Sequence, residues 1–214
     1  MPKTLQVLFD GFNFYYGLKS AGWKRYYWLD MLAFTNQLLN KNGYWDIQKV
    51  CYFTSKDHNN GKHARQWAWL NANLSLHPGK FEVIWGKYQM KEVKCTNCQF
   101  VMQKPEEKHT DVNIAIKLMN FAHQNQSDAI ALVSGDNDLE PPLQFIKQNF
   151  PNKRVLIIYP PNRNQSKLGQ YATDPTKHLL NFQSYFHHSL MAKEIQVDGK
   201  SFKIPVEWEP DYPI

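Results

Sequence analysis

Three cysteines in 214 residues, Cys51, Cys95 and Cys98, are too few and odd in number for a disulfide framework, so a reducing, cytoplasmic setting is expected. No apolar stretch approaches the ~20 residues of a membrane span. Met1-Pro2-Lys3-Thr4 leads straight into the strand-like Leu5-Gln6-Val7-Leu8-Phe9, so neither a membrane segment nor a signal peptide is expected. Internal repeats, low-complexity tracts and long linkers are lacking as well. Hydrophobic residues at 43% and charged residues at 21% exclude a disordered chain, and the length suits one domain. Acids are outnumbered by bases, 19 to 25, for a net charge of +6. That balance favours an anionic partner such as nucleic acid. Aromatic residues reach 14%, enough to supply stacking faces for unpaired bases, although most such rings are core.

What is present centres on Val133-Ser134-Gly135-Asp136-Asn137-Asp138-Leu139-Glu140, directly after the apolar run Ala129-Ile130-Ala131-Leu132-Val133. A continuous apolar run of that length reads as a strand buried on both faces, and the polar segment after it as a strand-to-helix loop. Open α/β sheets bind ligands outside the carboxyl ends of their strands. Two Asp so close together repel unless a cation, a proton or a cluster of donors compensates. Equally, Asp136 and Asp138 could shape the turn and cap the next helix, which Pro141-Pro142 would open.

Along the chain, Leu5 to Phe9 is a first strand ending in Asp10-Gly11-Phe12-Asn13, a second carboxylate at a strand's carboxyl end. Asn13 could hold a water, a phosphate oxygen or the Asp10 carboxylate, or simply cap a helix. A helix over Trp28 to Leu39 has Asp30 near its start. A second strand at Val50 to Phe53 precedes a polar loop at 57–62 and a helix carrying Ala64, Trp67, Leu70 and Leu74. Lys62, His63 and Arg65 at its beginning suit a phosphate backbone or a solvated face equally. A third strand spans Phe81 to Gly86. Thr110 is the expected N-cap of a helix with Val112, Ala115, Ile116 and Met119 on one face, and Asp111 falls in its first turn. Topology would bring Asp111 to the same sheet edge as Asp10, Asp136 and Asp138. Val155 to Tyr159 is a further strand, followed by a polar loop at 160–166 in which Arg163 and Ser166 are candidate phosphate contacts. Leu179 to Phe182 is a candidate edge strand, and Ile195-Gln196-Val197, Asp198-Gly199 and Lys200 to Ile204 form a hairpin with a tight turn. The expected organisation is a domain over 1–183, with a hairpin insertion at about 87–105, and a C-terminal extension over 184–214 packed on it.

That insertion contains Cys95-Thr96-Asn97-Cys98 among Lys87, Lys91, Lys94 and Lys108, as a hairpin projecting from the sheet edge with the thiols at its tip. CxxC is half of a zinc site, and tetrahedral zinc needs two more ligands. His109 or a second copy of the chain could contribute; free thiols are the simpler state.

Four carboxylates on one sheet edge suit hard, oxygen-ligated cations such as Mg²⁺ or Mn²⁺. Such a site can orient and deprotonate a water for in-line attack on a phosphodiester. Asp10-Gly11-Phe12-Asn13, Glu107-Lys108-His109-Thr110-Asp111-Val112 and Ser134-Gly135-Asp136-Asn137-Asp138-Leu139 together resemble the NYN domain, in the LabA-like branch of the PIN-like nuclease superfamily. The CxxC ahead of Glu107-Lys108 resembles that branch too. The resemblance implies a three-layer α/β/α sandwich around a mainly parallel sheet, and Mg²⁺- or Mn²⁺-dependent cleavage of RNA. Carried over residue by residue, it implies Asp10, Asp111, Asp136 and Asp138 as the acidic metal set, supported by Asn13 and Ser134. Lys62, Arg65, Lys87 and Arg163 would hold a single-stranded or structured RNA, and relatives of this kind commonly pair as homodimers. His109-Thr110 departs from the small, neutral pair usual there, which should affect loop shape rather than ligation. Two other readings remain open from sequence: a non-catalytic RNA-binding module that keeps the acidic pocket, and a phosphohydrolase of small substrates, since DxD loops occur in phosphatases.

Overall fold

The apolar run at 129–133 is buried along its whole length because it is a strand with a parallel neighbour on each side and helices over both faces. The computed structural model describes residues 1–40, 42–56, 59–124, 127–163 and 166–209. Parts of three expected features, the loop at 57–62, the loop at 160–166 and the C-terminal extension, therefore lie outside the described residues at 57–58, 164–165 and 210–214. In chain order the strands are β1 (Lys3–Asp10), β2 (Trp45–Thr54), β3 (Phe81–Trp85), β4 (Lys87–Lys94), β5 (Val101–Lys108), β6 (Ala129–Val133), β7 (Arg154–Tyr159), β8 (Lys177–His178), β9 (Glu194–Val197) and β10 (Lys200–Lys203). The helices are α1 (Gly11–Ser20), α2 (Met31–Leu39), α3 (Asn60–Leu76), α4 (Thr110–His123), α5 (Glu140–Asn149) and α6 (Gln183–His188).

Six strands form one sheet in the order β3-β2-β1-β6-β7-β8, and every pairing in it is parallel. Side chains alternate between its faces with the strand period of two. Leu5, Val7 and Phe9, with Ala131, Val133 and Ile158, join Phe14 of α1, Phe34 of α2 and Trp69 of α3 in one core layer. Leu8, Ile130, Leu132 and Ile157 join Ile114 and Leu118 of α4 and Leu143 and Ile146 of α5 in the other. The result is the expected α/β/α sandwich. The chain runs outward from β1 through β2 to β3, then returns to β6 on the opposite side of β1. Strand order thus reverses between β1 and β6, and the crevice at their carboxyl ends is where such sheets accept ligands.

β4 and β5 pair antiparallel as a separate hairpin, with Cys95 and Cys98 in its turn, as expected from the insertion's sequence. β9 and β10 form the second hairpin, its turn made by Asp198 and Gly199 at φ 48° and 75°. Two expectations are corrected. Leu179–Phe182 is a helical turn in which only Leu179 is buried, and the edge strand is the short β8 just before it. Thr110 is the first residue of α4 rather than its cap, and the cap position is His109, at φ 78° with no side-chain bond to the helix. The extension beyond 184 is anchored by Phe186, fully buried with its ring 4.3 Å from that of Phe34.

Candidate metal centre

Asp10 ends β1 and caps α1, and it is 3% exposed. Its Oδ1 accepts from the Asn13 N–H at 3.0 Å and its Oδ2 accepts from the Ser134 hydroxyl at 2.7 Å. The following Gly11 has no room for a side chain, because a Cβ there would lie 2.4 Å from the Phe53 carbonyl oxygen. That close approach keeps α1 tight against the end of β2.

The loop after β6 is tied back to the same place. Ser134 accepts from the Asp136 N–H at 3.0 Å while donating to Asp10, and the Gly135 N–H donates to Asn13 Oδ1 at 3.1 Å. Asp136 Oδ1 in turn accepts from the Asp138 N–H at 3.0 Å. Asn13 and Ser134 therefore hold the two acidic segments in register. A Cβ on Gly135 would meet the Arg163 carbonyl oxygen at 2.6 Å, so the 160–163 backbone packs directly on this loop.

Asp111 enters from the first turn of α4. One carboxylate oxygen from each of Asp10, Asp111 and Asp136 can be chosen so that all lie within 4.8 Å of one another. Asp138 is exposed and stands outside that group, though near enough for its charge to act on Asp111. Burial, followed by Asp136, Glu107 and Asp138, raises the Asp111 carboxyl to about 6. Burial also raises Asp10 to about 6, with Asp111 and Asp136 adding to it against the opposing bonds from Asn13 and Ser134. Crowded, desolvated carboxylates of this kind are poorly compensated by the protein alone. An oxygen-ligated divalent cation fits the donor set, since it supplies the missing positive charge to atoms already converging.

Glu107 is the residue for which sequence reasoning assigned no role. Its Oε1 accepts from the Thr110 N–H at 3.1 Å, from the Thr110 hydroxyl, and from the Ser55 hydroxyl at 3.2 Å. It does the capping expected of Thr110, and it links the end of β5 to the end of β2. The signal available was the Glu-x-x-Thr spacing, which resembles a capping box run in reverse.

The expected phosphate contacts are dispersed. Lys62 is exposed at the start of α3 and Lys87 is exposed at the start of β4. Arg65 is engaged by Glu207 at 2.7 Å. Ser166 donates to Asn137 Oδ1 at 3.0 Å, tying its loop to the acidic one. The hairpin thiols lie at the far end of β4 and β5 from His109, so that histidine does not complete a zinc site with them. Hydrogen bonds involving the Cys98 and Asn97 backbone, and then the Cys98 side chain, hold the Cys95 thiol below its ordinary value. Cys51 is buried, and burial pushes its thiol up to about 12.

Among known proteins, a family model described as the NYN domain matches residues 4–179. The 6-hydroxy-3-succinoylpyridine 3-monooxygenase HspA of Pseudomonas putida (strain DSM 28022 / S16) is 26% identical over 197 residues, covering 77% of this chain and 62% of its own length. The chain thus spans less than two thirds of that curated relative. A protein of unknown function from Vibrio parahaemolyticus RIMD 2210633 has a crystal structure that superimposes with a TM-score of 0.55 at 19% identity, over 83% of this chain and 93% of the other, which supports the fold. No helix among the described residues is long and apolar enough to cross a membrane.

Proposed function

The chain belongs to the NYN domain family, a PIN-like nuclease fold, and on that premise we propose that it is a metal-dependent ribonuclease whose site is the acidic cluster at the β1–β6 switch point. The observation that carries the reading is the convergence of Asp10, Asp111 and Asp136 within 4.8 Å from three separate segments. These three residues would hold the cation, with Asp138 at the open side. Mg²⁺ or Mn²⁺ bound there supplies Lewis acidity and an activated water for phosphodiester hydrolysis.

The chain's own groups do the positioning. Asn13 and Ser134 fix Asp10 relative to the Gly135-Asp136 loop through bonds of 2.7–3.1 Å. Asp111, held by a helix that Glu107 caps, is placed to ligate the cation or to orient the attacking water. Lys62, Lys87 and Arg163 would attract the strand, and the net charge of +6 favours its approach.

The test is cleavage of fluorescent single-stranded, hairpin and duplex RNAs in Mn²⁺, Mg²⁺ or chelator, with Asp136→Asn beside the native protein. Metal-dependent products that vanish in the variant are expected. Binding without cleavage in every metal would make the chain a non-catalytic RNA-binding module instead. A second reading comes from the relative's name, oxidation of a small N-heteroaromatic ring, and the observation favouring it is an aromatic cavity next to the acids. Oxygen consumption with hydroxypyridines and a two-electron donor tests it directly.

A further inference from the structure

Beside the acidic cluster lies a cavity of about 620 Å³ that the hydrolytic arrangement leaves unused. Its walls are rings from separate parts of the chain: Phe12, Tyr15 and Tyr16 of α1, Tyr27, Tyr88 of β4, and Trp208. Phe12 meets Tyr88 edge-on at 6.2 Å, Tyr15 meets Tyr27 at 5.1 Å, and Trp208 meets Tyr27 edge-on at 5.4 Å. The rings brace one another around the space. Protein interiors leave few voids larger than a water, whereas ligand sites have this size and this largely apolar lining.

None of Asp10, Asp111, Asp136 and Asp138 lines the cavity, but two of its lining residues connect it to their surroundings. Gly11, which lines it, follows Asp10 directly, and Ser55, which also lines it, donates to Glu107 at 3.2 Å. Lys19 and Lys62 are exposed lining residues, placed where a backbone phosphate outside the cavity would meet positive charge. Arg65 is held by Glu207 at 2.7 Å, which braces the C-terminal segment carrying Trp208 against α3.

We infer that this cavity takes one planar heteroaromatic ring, an unpaired nucleobase of the RNA strand whose neighbouring phosphodiester lies at Asp10, Asp111 and Asp136. The assignment of the ring to RNA rests on the ribonuclease reading; the cavity's fit to a flat ring does not. Every base has a π face, so stacking of this kind accepts many sequences while demanding an unpaired nucleotide. A base inside a duplex cannot reach it without leaving the stack. The site would therefore select single strands and loops before any metal chemistry begins.

The experiment scans short single-stranded RNAs that carry either one 2-aminopurine or one abasic position, moved stepwise along the strand, against the native full chain in chelator. At one position the 2-aminopurine fluorescence should be quenched on binding, and the abasic substitution there should weaken binding at least about fivefold, the lower bound for losing one stacked base. Tyr88→Ala should erase that position dependence, and Tyr88→Phe, which keeps the ring, should retain it. A flat scan with the native protein overturns the inference whatever the variants do. So does free 2-aminopurine riboside, or a free hydroxypyridine, binding as tightly as the oligonucleotide, because the ring would then be a small molecule. Cleavage is followed separately after Mn²⁺ is added. Position-dependent capture without cleavage keeps the base pocket and removes the nuclease, while cleavage with a flat scan does the reverse.

Discussion

The Ser134 hydroxyl donates to Asp10 Oδ2 at 2.7 Å, joining the ends of β6 and β1 across the point where strand order reverses. The bond favours the ionised form of a carboxylate that burial otherwise pushes toward neutrality. Ser134→Ala removes it and leaves the Asp136 N–H without its acceptor at 3.0 Å. The expected outcome is Mn²⁺ affinity weaker by roughly 10- to 100-fold, as for other groups that orient metal ligands. Stability should fall by about 1–3 kcal/mol for the stranded N–H. Titration calorimetry and thermal melts measure the two separately, and unchanged affinity would remove Ser134 from the site.

Acidity gives the second prediction. Asp10 and Asp111 each titrate at about 6 rather than at 3.8, so the folded, metal-free protein binds their protons more tightly than the unfolded chain does. Their contribution to stability is fully present below about pH 3.8 and is lost as pH rises through about 6. Metal binding has the opposite sign, because the ligands must be deprotonated. The rise in melting temperature caused by Mn²⁺ should therefore be large at pH 7.5, shrink through pH 6 and vanish near pH 5. Proton release on binding, read by calorimetry in buffers of different ionisation enthalpy, should be small at pH 7.5 and rise as pH falls through about 6.

Asp111→Asn separates repulsion from ligation. In chelator the variant should melt at or above the native temperature, since the carboxylate it loses is opposed by Asp136, Glu107 and Asp138. With Mn²⁺ at a hundred times the native Kd, the native protein gains about 2.7 kcal/mol, or roughly 5–10 °C for a chain of this size. The variant should gain almost none of that, and its RNA cleavage should fall at least about 100-fold, beyond the loss typical of a residue that only orients a ligand. A full metal response in the variant would remove Asp111 from the metal set.

Gly135→Ala tests the close contact of the loops. The added Cβ would lie 2.6 Å from the Arg163 carbonyl oxygen and 3.4 Å from Asn13 Oδ1. Relief requires the Gly135 N–H to retreat from Asn13, so the metal response should weaken together with a loss of about 1–3 kcal/mol. Native-like melting with a native Mn²⁺ response would show that the loop yields freely.

The sheet was legible in sequence because 129–133 and 155–159 are apolar runs that only a doubly covered strand can bury, and 5–9 is apolar apart from Gln6. Asp10, Asp111 and Asp136 were legible for the same reason, each standing at a junction on the edge where parallel strands end. Other features depend on tertiary contacts. Asp138 shares the acidic loop, yet it is exposed while its N–H donates back to Asp136. The aromatic cavity joins α1, β4 and residue 208, positions too far apart for any local pattern to connect. Leu179–Phe182 reads as a strand from its apolar content, but burial of Leu179 alone needs only a helical turn.

Glu107 is the sharpest case of a role set by tertiary contact, and its two functions can be pulled apart. Its carboxylate caps α4 through Thr110, and its charge raises the Asp111 carboxyl. Glu107→Gln keeps an acceptor oxygen for the Thr110 N–H and removes the charge, so melting should change little while the Asp111 titration midpoint, followed by carbon NMR, drops below about 6. Glu107→Ala should lower that midpoint too, but it also uncaps the helix, at a cost of about 1 kcal/mol and with faster hydrogen exchange at the Thr110 amide. If both variants left the Asp111 midpoint unchanged, burial and the neighbouring aspartates alone would account for its acidity, and Glu107 would be a structural cap only.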